Sequence, residues 1–276
     1  MLAMHRTRFN SDLAGSEQRH RPQHTMGIAY WQLNSEWPGA SKSGLERYGR
    51  WKLLHHAMVD SYADQLVTTA VVGNSLVTTF INDLDQALET GVALQWRSIQ
   101  TGAIITNEHH PLSLQHLAAT TLSSPTTPPP GCAWATCLFI ADARNPTTSN
   151  ASSLLSDVLP DQLKTGAWVQ SVTFIAKRLS ATTFELRASA VATHIQISSL
   201  CNGVFHPNYV TLLGGSVRVV FASADPDSCR YLDSVTIQHL AGAQERTSRS
   251  RITEQGVVDC TGRLTVEVKM QLRDAG

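Results

Sequence analysis

No stretch of this sequence approaches the roughly 18 consecutive apolar residues that a membrane-crossing helix requires. The N-terminal MLAMHRTRFNSD carries His and Arg from position 5 and holds no apolar core of signal-peptide length. Charge imbalance is missing too. Lys and Arg number 22 against 22 Asp and Glu, so nothing electrostatic favours nucleic acid or an anionic membrane. No GxSxG elbow occurs, which removes the usual serine hydrolase arrangement. Cysteines are few and odd in number (Cys132, Cys137, Cys201, Cys229 and Cys260), and none are spaced as CxxC. Cys132 and Cys137 fall in one expected strand at odd separation, which turns them to opposite faces and argues against a bridge between them. The cysteines therefore read as buried free thiols. His5, His20 and His24 lack metal-ligand spacing, so no metal is indicated, and no cofactor motif is present. The sequon Asn150-Ala151-Ser152 has meaning only in a secretory compartment.

What is present is a globular composition, 276 residues of which 42% are hydrophobic, enough for two domains of ordinary size. The chain is organised around residues 24–50, HTMGIAYWQLNSEWPGASKSGLERYGR. Met26 to Trp31 is an almost unbroken apolar run, which predicts a strand buried on both faces, as in a parallel sheet. Polar Gln32 and Asn34 follow, then a Pro-Gly and Ser-rich loop. Trp51, Leu54, His55, Met58, Val59 and Tyr62 recur at helical spacing and predict a helix with one apolar face inward. Strand, loop and helix make one βα unit, and in β/α barrels chemistry sits at strand C-termini and in the loops after them.

Downstream the period changes from helical to alternating. LVTTAVV (66–72), SLVTTFI (75–81), VALQWRSI (92–99), LSLQHLA (112–118) and ATCLFIAD (135–142) read as strands of an antiparallel sandwich. Turns are expected at Gly73-Asn74, 83–91 and 108–111, and SSPTTPPPG (123–131) reads as a connector outside any ladder. A second sandwich is expected from strands at 169–179, 183–192, 194–200, 216–223, 234–240 and 264–272, with turns at Asn202-Gly203 and Gly214-Gly215. Residues 1–24 read as a helix or a tail. The expected fold class is mainly β: two β-sandwiches (66–163 and 164–276) preceded by the terminal βα unit of a truncated β/α barrel (1–65). A full barrel takes roughly 200 residues or more, so only its end fits here, as expected of a C-terminal fragment.

The stretch TMGIAYWQLNSEWP…SGLERYGRWKLLHH (25–56) resembles the last barrel strand of β-mannosidases of glycoside hydrolase family 2. WQLN and YGRWK stand at family spacing with apolar flanks. NGVFHPNYVTLLGGSVRVVF (202–221) is similar, more loosely, to the family's last domain. Two positions depart from the pattern: Ser35 replaces an Asp, and Lys42 replaces a Trp in the loop. The resemblance implies two immunoglobulin-like domains after the barrel, a terminal β-mannoside as carbohydrate substrate, and a lysosomal or secreted setting.

Retaining glycosidases place two carboxyl groups about 5–5.5 Å apart across the bond they cleave. In the resembled family these glutamates come from earlier barrel strands. Here Asn107-Glu108 reads as hairpin loop, Glu36 does not fill the role, and Glu46 matches a rim position, paired with Arg50 as an ordinary helical ion pair. No catalytic residue is assigned, and the chain alone is expected to be inactive. What it offers is one wall of a sugar pocket. Trp31 is the first choice as stacking platform, then Asn34 for a placed hydrogen bond, then Trp37, with Lys42 weaker. Arg50, Trp51 and Lys52 read as structural or solvated. Rival readings are another family 2 activity (β-galactosidase, β-glucuronidase or exo-glucosaminidase type) or a non-catalytic carbohydrate-binding module. An isolated βα unit would expose its apolar run, so self-association is expected.

Overall fold

The computed structural model describes residues 29–37, 41–47, 49–144, 152–158, 172–199, 201, 203–223, 234–238, 257–260 and 266–269. It is mainly β. A loop segment (29–52) and one helix, α1 (Leu53–Ser61), precede two sets of sheets.

The first set joins β1 (Gln65–Val72), β2 (Ser75–Asn82) and β5 (Ala118–Pro125) in one sheet. Facing it lie β3 (Leu88–Ser98), β4 (Ile104–Leu114), β6 (Cys137–Asp142) and β7 (Leu155–Val158), in the order β4-β3-β6-β7. β1 and β2 meet in a two-residue hairpin whose Gly73 takes φ +58°, a conformation that costs glycine nothing. Between the sheets pack Val67, Leu76, Phe80, Val92, Leu94, Trp96, Leu112, Leu114 and Phe139. Trp96 meets Trp134 and Phe139 edge-on, with ring centroids 4.9 and 5.6 Å apart. This is sandwich packing, two inner faces sharing one core.

The second set contains β8 (Val172–Arg178), β9 (Thr183–Ser198), β10 (Gly203–His206), β11 (Val210–Ser223), β12 (Ser234–Gln238), β13 (Val257–Cys260) and β14 (Val266–Lys269). β9 is its spine: β11 pairs along it, β8 pairs with its first half and β12 with its last residues. The inward residues of β9 are Phe184, Leu186, Ala188, Ala190 and Ala192, and then they become Ile195 and Ile197. The alternation changes phase at His194, whose φ is +53°, where the β9–β11 register slips by one residue. That is a bulge, and it lets one long strand keep a single apolar face across a bend.

Several sequence expectations are corrected. The strands expected at 183–192 and 194–200 are one strand, because the bulge absorbs the broken alternation. Gly214-Gly215 lies inside β11, at a second register slip, with φ +83° and +104°, and is no turn. Residues 108–111 continue β4, so Asn107-Glu108 is strand and not hairpin loop. Ser123 to Pro125 do pair, as the end of β5, because Pro125 faces Ser75 at the final rung. Cys132 and Cys137 are joined by a disulfide. The strand begins only at Cys137, and a turn in which Thr136 N and Cys137 N donate to Ala133 O brings the two Cα atoms to 5.8 Å. Cys201 is disulfide-bonded as well, so the free-thiol reading fails at three positions. Helix α1 does not bury the expected stripe. Leu54, Val59 and Tyr62 are exposed, and His56 is its buried residue. Residues 1–28 (with most of the apolar run), Asn150, Ala151 and Cys229 lie outside the described residues.

The two sandwiches are sealed against each other. Ile99, Leu138, Ile140 and Val191 form a small apolar cluster with Leu155 and Leu213. Gly102 (φ +73°) lies against the Leu213 carbonyl where any Cβ would collide, and Arg97 donates to the carbonyls of both Gly102 (2.9 Å) and Leu213 (3.5 Å).

Candidate functional site

The described residues of 29–52 form a loop ahead of α1, braced from behind by polar contacts. Residues 29–31 carry no strand, since no neighbouring strand offers a ladder among the described residues. The brace begins where Asn34 and Leu45 meet in a parallel bridge: Gly44 N donates to Gln32 O (3.1 Å), Leu45 N to Leu33 O (2.7 Å) and Ser35 N to Leu45 O (3.0 Å). Leu45 also bridges Trp51, and Lys52 N donates to Gly44 O at 2.9 Å. Gly44 admits a close approach here. A Cβ on it would sit 3.0 Å from His55 Nδ1 and 3.1 Å from the Tyr30 hydroxyl, which bond each other at 3.2 Å.

Beside this lies a cluster that sequence reasoning missed. Lys52, read as solvated, points its ammonium at three hydroxyls: Ser43 (2.9 Å), Ser41 (3.0 Å) and Ser35 (3.3 Å). Ser35 and Ser43 are buried, and the three hydroxyls also bond one another. Where the resembled family has an Asp, this chain has Ser35 with two further serines around the same lysine. The only sequence signal was the density of serines at 35, 41 and 43. Glu46 and Arg50 pair at 3.9 Å, both half-exposed, but in a turn before the helix and not within it.

On the outer side, Trp31 is 86% exposed and Trp37 76% exposed. Asn34 is exposed, and its backbone carbonyl accepts from Gln32 Nε2 at 2.9 Å. The Trp31–Gln32 peptide is cis. Lys42 is exposed nearby in sequence. Trp31, Asn34 and Trp37 are thus on one braced loop with their side chains accessible. Trp51 is half-buried and packs its ring on His55 (4.4 Å) and His56 (5.1 Å).

The loop and helix are tied to the second sandwich by one buried amide. Asn208 accepts from Ile197 N (2.7 Å) and Tyr209 N (2.8 Å) and donates to Ile197 O (2.8 Å) and His56 Nε2 (3.3 Å). His56 must be neutral to accept that bond. Burial, followed by the neighbouring His55 and His206, lowers its pKa to about 4, which agrees. Burial also lowers that of His55. Among the described residues no group of three His, Cys, Asp or Glu side chains could hold a metal ion.

Compared with known proteins, no family model matches the chain. The fold recurs in large glycosidases. In a β-D-mannosidase from Dictyoglomus thermophilum the superposition has a TM-score of 0.57 at 12% identity, over 76% of this chain and 25% of that one. Sequence relatives are more particular. β-Mannosidase A of Aspergillus niger is 34% identical over 95 residues, 34% of this chain and 10% of that enzyme. β-Mannosidase A of Aspergillus oryzae is 24% identical over 259 residues, covering 84% of this chain and 28% of the relative. The matches therefore span between a tenth and under a third of these relatives' length. The chain is similar to the C-terminal part of family 2 β-mannosidases, as its WQLN and YGRWK motifs indicate.

Proposed function

We propose that this chain is the C-terminal part of a retaining, exo-acting β-mannosidase, and that its loop at 29–37 forms one wall of the pocket for a terminal β-mannosyl residue. The observation that carries this is the pair of bare tryptophans, Trp31 and Trp37, on a loop whose backbone is pinned from the other side. Trp31 supplies a flat face for the C–H side of the sugar, and Asn34 supplies a placed hydrogen bond. In this reading residues 1–65 belong to the barrel, 66–163 to the first sandwich and 164–276 to the second.

No carboxylate of this chain takes the role of nucleophile or acid/base, so hydrolysis needs the remainder of a barrel. The test is an aryl β-mannoside assay on the chain alone, for which no turnover is expected. Turnover above a protein-free control that persists through repeated purification would overturn the reading. Exposed Leu53, Leu54, Val59 and Tyr62 give α1 an apolar outer face suited to neighbouring barrel helices. Left uncovered, it makes the isolated chain self-associate. Sedimentation checks this, and a monodisperse monomer at high concentration would contradict it.

A further inference from the structure

We propose that the seam between the two sandwiches contains a second binding site, for a single neutral sugar ring. A cavity of about 170 Å³ opens there, walled by the end of α1, β1, β7, β9 and β11. An apolar cavity of about 150 Å³ takes benzene; a hexose, with twice the heavy atoms, seats one edge here and leaves the rest at the open mouth. Small-molecule sites favour such positions between domains.

Its wall is chemically specific. The Asp157 carboxylate, mostly buried, accepts the Thr211 hydroxyl at 3.1 Å and stands 3.9 Å from His194 Nε2. The other ring nitrogen of His194, Nδ1, is buried without a hydrogen-bond partner. Nδ1 is closed off from the cavity, so a ligand hydroxyl meets the partly exposed remainder of the ring beside the Asp157 carboxylate. The ring of Tyr209 lies 4.9 Å from that of His194. Both residues hold positive φ, +53° and +59°, a costly backbone state that in well-determined sites often marks a ligand clamp. The bulge at His194 is what aims this wall, since it ends the strict alternation of β9 just where the seam opens.

The same residues exclude other ligands. The Arg144 guanidinium is bound at both ends to Asp142, by Nε to Oδ1 (2.9 Å) and Nη2 to Oδ2 (2.7 Å), so no spare cation awaits a phosphate or sulfate. Asp157, Thr211 and His194 interrupt an otherwise apolar lining of Leu66, Leu155, Val210 and Val217, so a lipid chain laid there would desolvate the Asp157 carboxylate. What remains is a neutral ligand dense in hydroxyls, able to donate to Asp157 and to pair with His194. This inference does not rest on the barrel-end reading, because neither Trp31, Asn34 nor Trp37 lines the cavity.

The experiment titrates the full chain with D-mannose, D-glucose and N-acetyl-D-glucosamine, with glycerol as the control that lacks a ring. Melting temperature and saturation-transfer NMR are the readouts. At least one pyranose is expected to raise the melting temperature and show transfer, while glycerol does neither. Asp157→Asn and, at the exposed rim, Ser216→Trp should each weaken binding roughly tenfold or more. Ser216→Trp should melt where the parent does, so it decides the matter if Asp157→Asn fails to fold. All titrations use the Trp31→Ala chain, so that the loop proposed above as a sugar wall contributes nothing to the signal. No response to any pyranose, an equal response to glycerol, or binding that survives both seam substitutions would each overturn the proposal.

Discussion

Residues 29–62 and residues 65–158 are neighbours in the chain, yet they are held by opposite means. The first sandwich rests on apolar side chains closed between two sheets, with Leu76, Phe80, Val92 and Phe139 almost fully buried. The loop segment has almost no such core. It is fixed by backbone bridges to Leu45, by the Tyr30–His55 bond, and by Lys52 gathering three serines. A core held by burial is insensitive to which polar groups surround it. A polar brace fixes geometry closely at little net stability, which suits the sugar wall proposed at Trp31, Asn34 and Trp37.

The sharpest way to break this comparison is to remove volume on each side of it. Phe80→Ala empties the middle of the first sandwich and should cost about 3–5 kcal/mol. Trp31→Ala in the same chain, losing an exposed ring, should change stability by less than about 0.5 kcal/mol. Urea unfolding of both variants decides, and comparable losses would mean that the loop owns a core of its own. Next in size is the link between loop and second sandwich. Asn208→Leu orphans the buried Ile197 amide and carbonyl along with the His56 ring nitrogen. We expect a loss of about 3 kcal/mol, read from the denaturation midpoint, with Asn208→Asp in between.

How far the sequence reveals each region follows from the same contrast. Alternation in SLVTTFI and VALQWRSI needs only the next residues along the strand, so the strands at 75–82 and 88–98 are visible locally. β5 is hidden because AATTLSSP is polar at half its positions and ends in proline. The unity of β9 is hidden because a bulge breaks the period that identifies a strand. In the loop, WQLN and YGRWK reveal relatedness. Nothing along the chain shows that Lys52 would meet Ser35 and Ser43, or that Asn208 would reach His56 across 152 residues. Those contacts are made by the tertiary fold and have no local signature.

Two smaller effects sharpen the account. The unfolded chain protonates His56 near pH 6.5, whereas in the folded state its pKa lies at about 4. Stability is therefore full above about pH 6.5, falls as pH drops toward 4, and is flat below that, with a loss on the order of 1–2 kcal/mol after allowance for solvent screening. His56→Gln should flatten the slope in this window, and urea midpoints at pH 7 and pH 4.5 measure it. Lys52→Met removes the donor shared by Ser35, Ser41 and Ser43 and should cost about 1 kcal/mol. Faster amide exchange should then be confined to residues 32–45. Exchange spreading equally into β2 would show that loop and sandwich are not separate in kind.

The most direct test of the central claim places residues 29–62 in a complete family 2 barrel and measures kcat/KM for an aryl β-mannoside together with melting temperature, with and without Trp31→Ala. The expected result is a fall in kcat/KM of about tenfold to a few hundredfold at an unchanged melting temperature. A large drop in melting temperature with undiminished activity per folded molecule would return Trp31 to a packing role and contradict the sugar-facing wall.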